Sequence, residues 1–555
     1  MKKAIRQTEK YRRALLDSEK GARATRGGPI SACLVFPSTY HVAMSNLALH
    51  TLYSILNARP DCTCERGFCE EPLTGISLES GSRLNAFDVV AFTVSFELDY
   101  PNILKALAKG GIPTRTIERD EGHPLVIAGG PCIFSNPEPL ADCFDLCVIG
   151  EGEEVIHEII DAYAEAKERG QSRDVLLGRL SEIPGVYVPS QFEPVYREDG
   201  ELEGFAGQSE GDFPVKARTV SNLDDHPCHS VLVTPGTEFS NMFLIELGRG
   251  CRRGCRFCSA CHIYLRRERS LEPLKEQIME GRKLADRVGL ITSDFADYPQ
   301  KGELLEFLLN NDIGFSVSSV RADAITEDLL AGMRKTGQRT LTIAPEVATE
   351  KLARFTGKRI TSDTLVRVFN MALEQEIINF RLYFMIGFPG ESDEDIEAIV
   401  ALAKTVQAEM RRAATGLKKI GRLTISVNPF VPKPFTPLEA EPFADQKTLS
   451  GRMKLLREGL ARVGNMRFIA QSPRLARLQA AFARGDRRAL RLAEMLAEGQ
   501  TPAQAMRLFG EGMERYTGGR IGRAGEDIVR PWDSIEPPSR GRSAPGGTKK
   551  SETSN

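Results

Sequence analysis

No stretch of the sequence approaches the roughly eighteen consecutive apolar residues that a membrane-crossing helix needs, so an α-helical span is excluded. The start, Met1-Lys2-Lys3-Ala4-Ile5-Arg6, leads into a charged segment without the apolar core of a secretion signal. The expectation is a cytoplasmic chain with no membrane partner. An excess of one charge is missing too: 73 lysines and arginines face 75 aspartates and glutamates, for a formal net charge of −2. No global field therefore points to nucleic acid or a lipid surface; nucleic acid is not excluded, but it has to be argued locally. Tryptophan is almost absent. Trp532 stands alone in Arg530-Pro531-Trp532-Asp533, where it is expected to dock a C-terminal segment back on the barrel described below.

What the chain does have is cysteine, twelve in 555 residues, and length enough for three or four domains, each with its own core. Such cysteine usage without a leader favours a reducing compartment, where thiols serve metals. Three of the twelve sit in Cys251-Arg252-Arg253-Gly254-Cys255-Arg256-Phe257-Cys258, spaced three and then two. The apolar run Met242-Phe243-Leu244-Ile245-Glu246-Leu247 precedes them and ends in Gly248-Arg249-Gly250, which reads as a buried strand entering a tight loop. Zinc usually takes four protein ligands, often as two separated pairs, whereas three close thiolates suit an iron–sulfur cluster with one iron open. Cys261 repeats the two-residue spacing, so a four-thiolate zinc or rubredoxin-like knuckle is the competing reading; Cys261 is read as a bystander.

Residues 1–28 read as a charged lead-in without chemistry. From 29 to 184, short apolar runs (Ser31 to Phe36, Val89 to Val94, Leu125 to Ala128, Leu146 to Ile149) alternate with helical stretches, the pattern of an α/β domain with an open parallel, Rossmann/flavodoxin-like sheet. In such sheets ligands bind beyond the carboxyl ends of the strands. The exits are Pro37 to His41, Ser95-Phe96-Glu97, Gly129-Gly130-Pro131 and Gly150-Glu151-Gly152-Glu153, where glycine permits close backbone approach. Cys62, Cys64 and Cys69, with Cys132, Cys143 and Cys147, are too irregularly spaced to indicate an auxiliary cluster, and Cys147 falls in a buried strand. Residues 185–240 read as a β-rich connector, and its His226-Pro227-Cys228-His229 as a plain loop.

Residues 241–440 alternate strand and helix again. Six strands indicate a partial (βα)6 barrel, with helix starts marked by Ser392-Asp393-Glu394-Asp395 and by Thr326. Chemistry in such barrels gathers at the strand exits, which here carry Asp294 and Asp297, Ser318 and Arg321 with Asp323, Glu346, and Gly387 with Pro389-Gly390. The prolines of Asn428-Pro429-Phe430-Val431-Pro432-Lys433-Pro434 enforce an extended end to the barrel. Residues 441–535 read as a helical extension. Its arginines, Arg474, Arg477, Arg484, Arg487, Arg488 and Arg491, alternate with Asp486, Glu494 and Glu498, which describes a solvated helical surface more than a phosphate-binding cap. The Pro, Gly, Ser and Lys content of 536–555 implies a disordered tail.

The cysteine triplet resembles the signature of the radical SAM superfamily, and Phe257 occupies the aromatic position common there before the third cysteine. The resemblance implies a [4Fe–4S] cluster on Cys251, Cys255 and Cys258, with S-adenosylmethionine (SAM) on the fourth iron and Phe257 shielding the cluster from water. Val320-Arg321-Ala322-Asp323-Ala324, Thr342-Ile343-Ala344-Pro345-Glu346 and Tyr383 to Gly390 are similar to the tRNA methylthiotransferase-like class of these barrels. On that resemblance Phe257, Asp294, Asp297, Ser318, Arg321, Glu346 and Gly387 would line the SAM site. The Gly-Gly and Gly-Glu-Gly-Glu exits resemble the cobalamin-binding domain that precedes the barrel in one radical SAM class. Tyr40, His41, Ser95, Glu97, Gly129, Gly130, Gly150 and Glu151 would then be its cobalamin contacts. Of the cobalt-ligating Asp-x-His-x-x-Gly frame only His41 is present, in Thr39-Tyr40-His41-Val42-Ala43-Met44, and without the aspartate it reads better as a helix-start residue. The implied activity is cobalamin-dependent methylation of an unreactive carbon of an unknown substrate, with a flavodoxin or ferredoxin as electron donor. The alternatives are a cobalamin-independent radical SAM enzyme, for rearrangement, sulfur insertion or RNA modification, and a non-enzymatic iron–sulfur protein.

Overall fold

A computed structural model describes residues 2–21, 27–207, 213–317, 320–417, 420–519 and 528–538. Most of the tail expected to be disordered lies outside these residues, as does Ser318. The N-terminal sheet has six strands: β1 (Ile30–Phe36), β2 (Cys62–Phe68), β3 (Val89–Thr93), β4 (Leu125–Gly129), β5 (Leu146–Val148) and β6 (Val186–Tyr187). Their spatial order is β2-β1-β3-β4-β5-β6, with only the edge strand β6 antiparallel. Strand order reverses between β1 and β3, and that switch point is where an open α/β sheet makes its ligand crevice.

Strand alternation sends Cys33 and Val35 to one core, and Ala32, Leu34 and Phe36 to the other. The second core is closed by α2 (Leu47–Ala58) and α4 (Val155–Glu168), through Leu49, Tyr53, Ile156 and Ile160. The first is closed by α3 (Tyr100–Gly110) and, from the far end of the chain, by α5 (Pro473–Arg484) and α6 (Leu490–Ala497). Phe482 meets the Tyr100 ring at 5.0 Å, Asn136 donates to the carbonyls of Ala483 and Gly485, and Arg487 pairs with the buried Glu138 at 2.9 Å. The C-terminal arginines therefore do not form one solvated surface: Arg484 and Arg487 are interior, and the apolar stripe of α5 and α6 buries Leu478, Phe482, Leu490 and Leu492, at about 2 kcal/mol for each side chain removed from water.

The charged lead-in is folded as well. Helix α1 (Lys2–Ser18) is anchored by Arg12, which donates to the Leu78 carbonyl at 2.8 Å; Glu19 receives Arg66 at 2.7 Å and the Tyr40 hydroxyl at 2.8 Å. Cys62 and Cys64 lie in one core of the sheet, and Cys132, Cys143 and Cys147 in the other. Burial pushes the thiols of Cys62 and Cys143 up, to about 11 and about 12. These cysteines are packing residues.

The barrel region contains seven parallel strands in two sheets: β7 (Met242–Glu246), β8 (Arg287–Ile291) and β9 (Gly314–Val317), then β10 (Thr340–Glu346), β11 (Asn379–Ile386), β12 (Leu423–Pro429) and β13 (Met466–Ala470). The seventh, β13, falls where the sequence reads as helix, and its residues are half-exposed at the sheet edge. On β11 the alternate residues Phe380, Leu382, Phe384 and Ile386 are buried against the surrounding helices, which leaves Arg381, Tyr383 and Met385 on the opposite, inner face. The proline-rich exit after β12 holds the C-terminal segment: Trp532 is fully buried and donates to Glu439 at 3.2 Å. No helix of the described residues is long and apolar enough to cross a membrane.

Candidate functional site

Strand β7 delivers the chain to the cysteine loop at the carboxyl end of the barrel sheet. Gly248-Arg249 pairs antiparallel with Arg267-Glu268 to close the base of the loop. Gly250 (φ +73°) has to be glycine, since a Cβ there would stand 2.6 Å from the Leu265 carbonyl oxygen. Inside the loop the Cys258 amide donates to the Cys255 carbonyl at 3.2 Å, and the Arg256 amide to the Thr356 carbonyl at 3.0 Å. Phe257 lies edge-on to Phe388 at 5.9 Å, and Phe388 stacks on Phe430 at 4.7 Å. The aromatic residue of the cysteine motif thus ties the loop to the exits of β11 and β12.

Among the described residues no three cysteine, histidine or acidic side chains are already gathered closely enough to hold an ion; the three thiols share one loop rather than one point. As a donor set they nonetheless fit an iron–sulfur cluster, with three thiols on one short loop and the cationic groups of Lys358 and Arg321 acting on Cys255. Burial pushes the thiols of Cys251 and Cys255 up. Cys258 is held below the usual thiol range, chiefly by the hydrogen bond with Cys261. The Cys261 sulfur also lies 3.2 Å from the Cys258 carbonyl oxygen, so it is fixed beside the triplet.

The exits of the next strands surround this loop. Asp294 and Asp297 pair with Arg253 of the loop itself, at 3.2 and 2.7 Å, and the second oxygen of Asp297 is buried without a partner among the described residues. Arg321 holds Asp323 at 3.0 Å and donates to the Lys358 carbonyl at 2.6 Å; Glu346, at a positive φ of 70°, pairs with Lys358 at 2.6 Å. The Gly387 amide donates to Glu391. Burial raises the Glu391 carboxyl to about 7 against the pull of that amide and of Arg452. Arg253 and Lys358 were not singled out in the sequence; Arg253 lies within the cysteine motif, and Lys358 follows the left-handed Gly357 that turns the chain back.

Between this loop and the N-terminal sheet lies a cavity of about 450 Å³. Its floor is the switch-point end of the sheet, with Leu34, Phe92 and Ile127, and its barrel wall includes Arg249, Gly250, Ala260, Tyr264 and Thr292. Ser95, Gly129, Gly130, Gly150 and Glu151 line it; Tyr40, His41 and Glu97 do not. Tyr40 is buried against Glu19, His41 is exposed and contacts the Gly236 carbonyl, and Glu97 is taken up by Lys433 and Gln479. Two of the lining glycines answer to the protein rather than to a ligand: a Cβ on Gly150 would stand 2.1 Å from the Arg218 carbonyl oxygen, and one on Gly130 2.7 Å from that of Val94. The acids of the Gly-Glu-Gly-Glu exit bind the barrel. Glu151 receives Arg267 and the Val220 amide, with Arg249 at 3.4 Å, while Glu153 pairs with Arg249, which also holds Glu246 at 3.0 Å. Arg249 is two residues before Cys251, so the floor of the cavity is tied electrostatically to the root of the cluster loop.

Two family models match the chain: "Radical SAM proteins, N-terminal" over residues 48–189 and "Radical SAM superfamily" over residues 245–403. The uncharacterized protein MJ0966 of Methanocaldococcus jannaschii is 31% identical over 418 residues, 74% of this chain and 80% of that protein. The uncharacterized methyltransferase PH0819 of Pyrococcus horikoshii is 25% identical over 304 residues, 51% of this chain and 59% of that one. Among solved structures, the radical S-adenosylmethionine methyltransferase TsrM of Kitasatospora setae, with cobalamin and a [4Fe–4S] cluster bound, aligns over 87% of this chain and 99% of its own, with a TM-score of 0.50 and 15% identity. That likeness is one of fold. With the cysteine loop at a barrel strand exit, one family model on the N-terminal domain and the other on the barrel, the chain belongs to the radical SAM superfamily of enzymes.

Proposed function

We propose that the chain methylates an unreactive carbon, using a [4Fe–4S] cluster on Cys251, Cys255 and Cys258, SAM at the exits of β8 to β11, and cobalamin in the cavity between the two sheets. The observation that carries this reading is the cavity itself, which opens at the switch point of the N-terminal sheet and is walled by the root of the cluster loop. Its apolar floor of Leu34, Ala91, Phe92, Ile127 and Val148 suits the face of a large macrocycle, and among the described residues no histidine lines it, so these residues would hold cobalamin without a protein imidazole. The solved methyltransferase of like fold has both cobalamin and a [4Fe–4S] cluster bound, which supports pairing the two cofactors in one chain.

When bound, the cluster supplies the electron that splits SAM into methionine and a 5′-deoxyadenosyl radical, and cobalamin supplies the methyl group. The protein's part is to orient and to exclude water. Arg321 matches the SAM carboxylate, Asp294 and Glu346 match its amine and ribose hydroxyls, and the unpartnered oxygen of Asp297 offers one further acceptor. Phe257, Phe388 and Phe430 close the loop against solvent. A low-potential donor of the flavodoxin or ferredoxin type is the partner this chemistry needs.

The cobalamin-independent alternative draws on the acids of the Gly-Glu-Gly-Glu exit, which serve the domain interface instead of a cofactor. The test is anaerobic reconstitution with iron, sulfide and hydroxocobalamin, the visible spectrum after desalting, and analysis for 5′-deoxyadenosine after dithionite and SAM. Retained cobalamin with deoxyadenosine is expected. Deoxyadenosine from protein that keeps no cobalamin overturns the methylation reading in favour of the cobalamin-free enzyme.

A further inference from the structure

At the opposite end of the barrel from the cysteine loop, the amino ends of β10 to β13 enclose a second cavity of about 380 Å³, lined by Thr340, Asn379, Arg381, Arg422, Asn465 and Arg467 among others. The sheet register explains how these residues meet. Thr342 pairs with Arg381, Arg381 with Thr424, and Thr424 with Arg467, so four adjacent parallel strands present one cross-strand row of Thr, Arg, Thr and Arg. Phe380 and Leu382, the neighbours of Arg381 on β11, are buried in the helical core, which puts Arg381 on the inner face. Arg422 stands two residues before Thr424, on the loop entering β12. That loop is pinned from both sides: Asn379 accepts from the Arg422 amide at 2.9 Å, and Asn465 donates to the Gly421 carbonyl.

Arg381, Arg422 and Arg467 make no side-chain hydrogen bond or ion pair among the described residues, and no carboxylate lines the cavity. Arg381 is half-buried while Arg422 and Arg467 are exposed at the mouth; the half-buried Arg253, Arg267, Arg321 and Arg487 elsewhere in this chain are all paired, which sets Arg381 apart. Arg381 and Arg467 are two strand spacings apart, about 10 Å between backbones, close enough to repel each other and near enough for both side chains to reach one anion. A single carboxylate is satisfied by one guanidinium fork; three guanidinium groups with threonine hydroxyls and asparagine amides between them match a group with more oxygens and at least two charges.

We infer that this lower mouth of the half-barrel binds a phosphate group of a small phosphorylated molecule, with Arg381, Arg422 and Arg467 as its ligands. The inference stands on the register and the unpaired guanidinium groups, and does not require the methylation chemistry proposed above.

The test is titration calorimetry with inorganic pyrophosphate at low salt, on the cluster-reconstituted full chain. Wild type is expected to bind saturably with one site, the Arg381→Gln/Arg467→Gln double variant at least tenfold more weakly, and Arg381→Lys within a few-fold of wild type. Arg422 is exposed at the rim, so Arg422→Gln should fold normally and weaken binding about threefold. Cluster absorbance and thermal midpoint serve as the folding check for every variant. Failure of the wild type to bind, or equal affinity in wild type and in folded Arg381→Gln/Arg467→Gln and Arg422→Gln, overturns the assignment.

Discussion

Replacing Glu151 with alanine should loosen the contact between the N-terminal sheet and the cluster loop. The carboxylate is buried and accepts from Arg267, from the Val220 amide at 2.7 Å and, at 3.4 Å, faces Arg249. Removing one partner of a buried ion pair costs about 3–5 kcal/mol, mostly because the remaining charge is left without compensation. Here the low end applies: Arg267 keeps the Val220 carbonyl, and Arg249 keeps Glu246 and Glu153. About 3 kcal/mol corresponds to roughly a hundredfold shift toward an opened interface. Hydrogen exchange reads this directly, because the Val220 amide bonds to the side chain that is removed; its protection should collapse in Glu151→Ala, and the urea midpoint should fall. Burial alone would raise the Glu151 carboxyl, but Arg267, Arg249 and the Val220 amide outweigh it and hold the group below its ordinary value. The stabilisation is therefore fully present above about pH 4.5, the ordinary value, and is lost as pH falls through the lowered folded value. Unchanged Val220 exchange and an unchanged urea midpoint in Glu151→Ala would refute the reasoning.

Serine at Cys251, Cys255 or Cys258 should each abolish bound iron and sulfide after reconstitution, whereas Cys261→Ser should retain both; loss of iron in Cys261→Ser would make Cys261 a ligand. Phe257→Ala removes the ring that seals the loop on Phe388, and the visible absorbance of its cluster should bleach in air several-fold faster than that of wild type. Arg487→Met leaves Glu138 buried with the Tyr187 hydroxyl at 2.6 Å but no countercharge, at a cost of about 3–5 kcal/mol near neutral pH. Burial already raises the Glu138 carboxyl, and losing Arg487 raises it further, so the penalty should shrink as pH falls toward the ordinary carboxylate range; urea unfolding followed through Trp532 at two pH values decides it.

The cysteine loop was legible because its chemistry is local: the apolar strand, the glycines that turn it and the three thiols lie within seventeen residues. The exits of β3, β4 and β5 were legible for the same reason, as apolar runs ending in Ser95, Gly129-Gly130 and Gly150-Glu151. Strand β2 was missed because Cys-Thr-Cys-Glu-Arg-Gly-Phe does not look like a core strand. Its Glu65 and Arg66 are buried only because the Ser80 hydroxyl donates to Glu65, at 2.6 Å, and Glu19 and Glu79 receive Arg66. Strand β13 was missed because an edge strand shows half an alternation and sits among helices. Both failures are those expected when tertiary pairing supplies what local pattern lacks.

The site residues divide along the same line. Sequence places a residue at a strand exit but does not say which way it turns. Glu97 leaves β3 beside Ser95, yet Ser95 lines the cavity while Glu97 joins Lys433 and Gln479, more than 300 positions away in the chain. Glu151 is at the predicted position and beside the predicted cavity, but its charge is committed to Arg267. The result is a cavity whose charged corners hold the N-terminal sheet to the barrel and whose remaining wall is glycine, aliphatic and aromatic surface with a few neutral polar side chains such as Asn46, Ser95 and Thr292. The face of a macrocycle can be held there by shape, without competing for the ion pairs on which the position of Arg249, and through it the root of the cluster loop, depends.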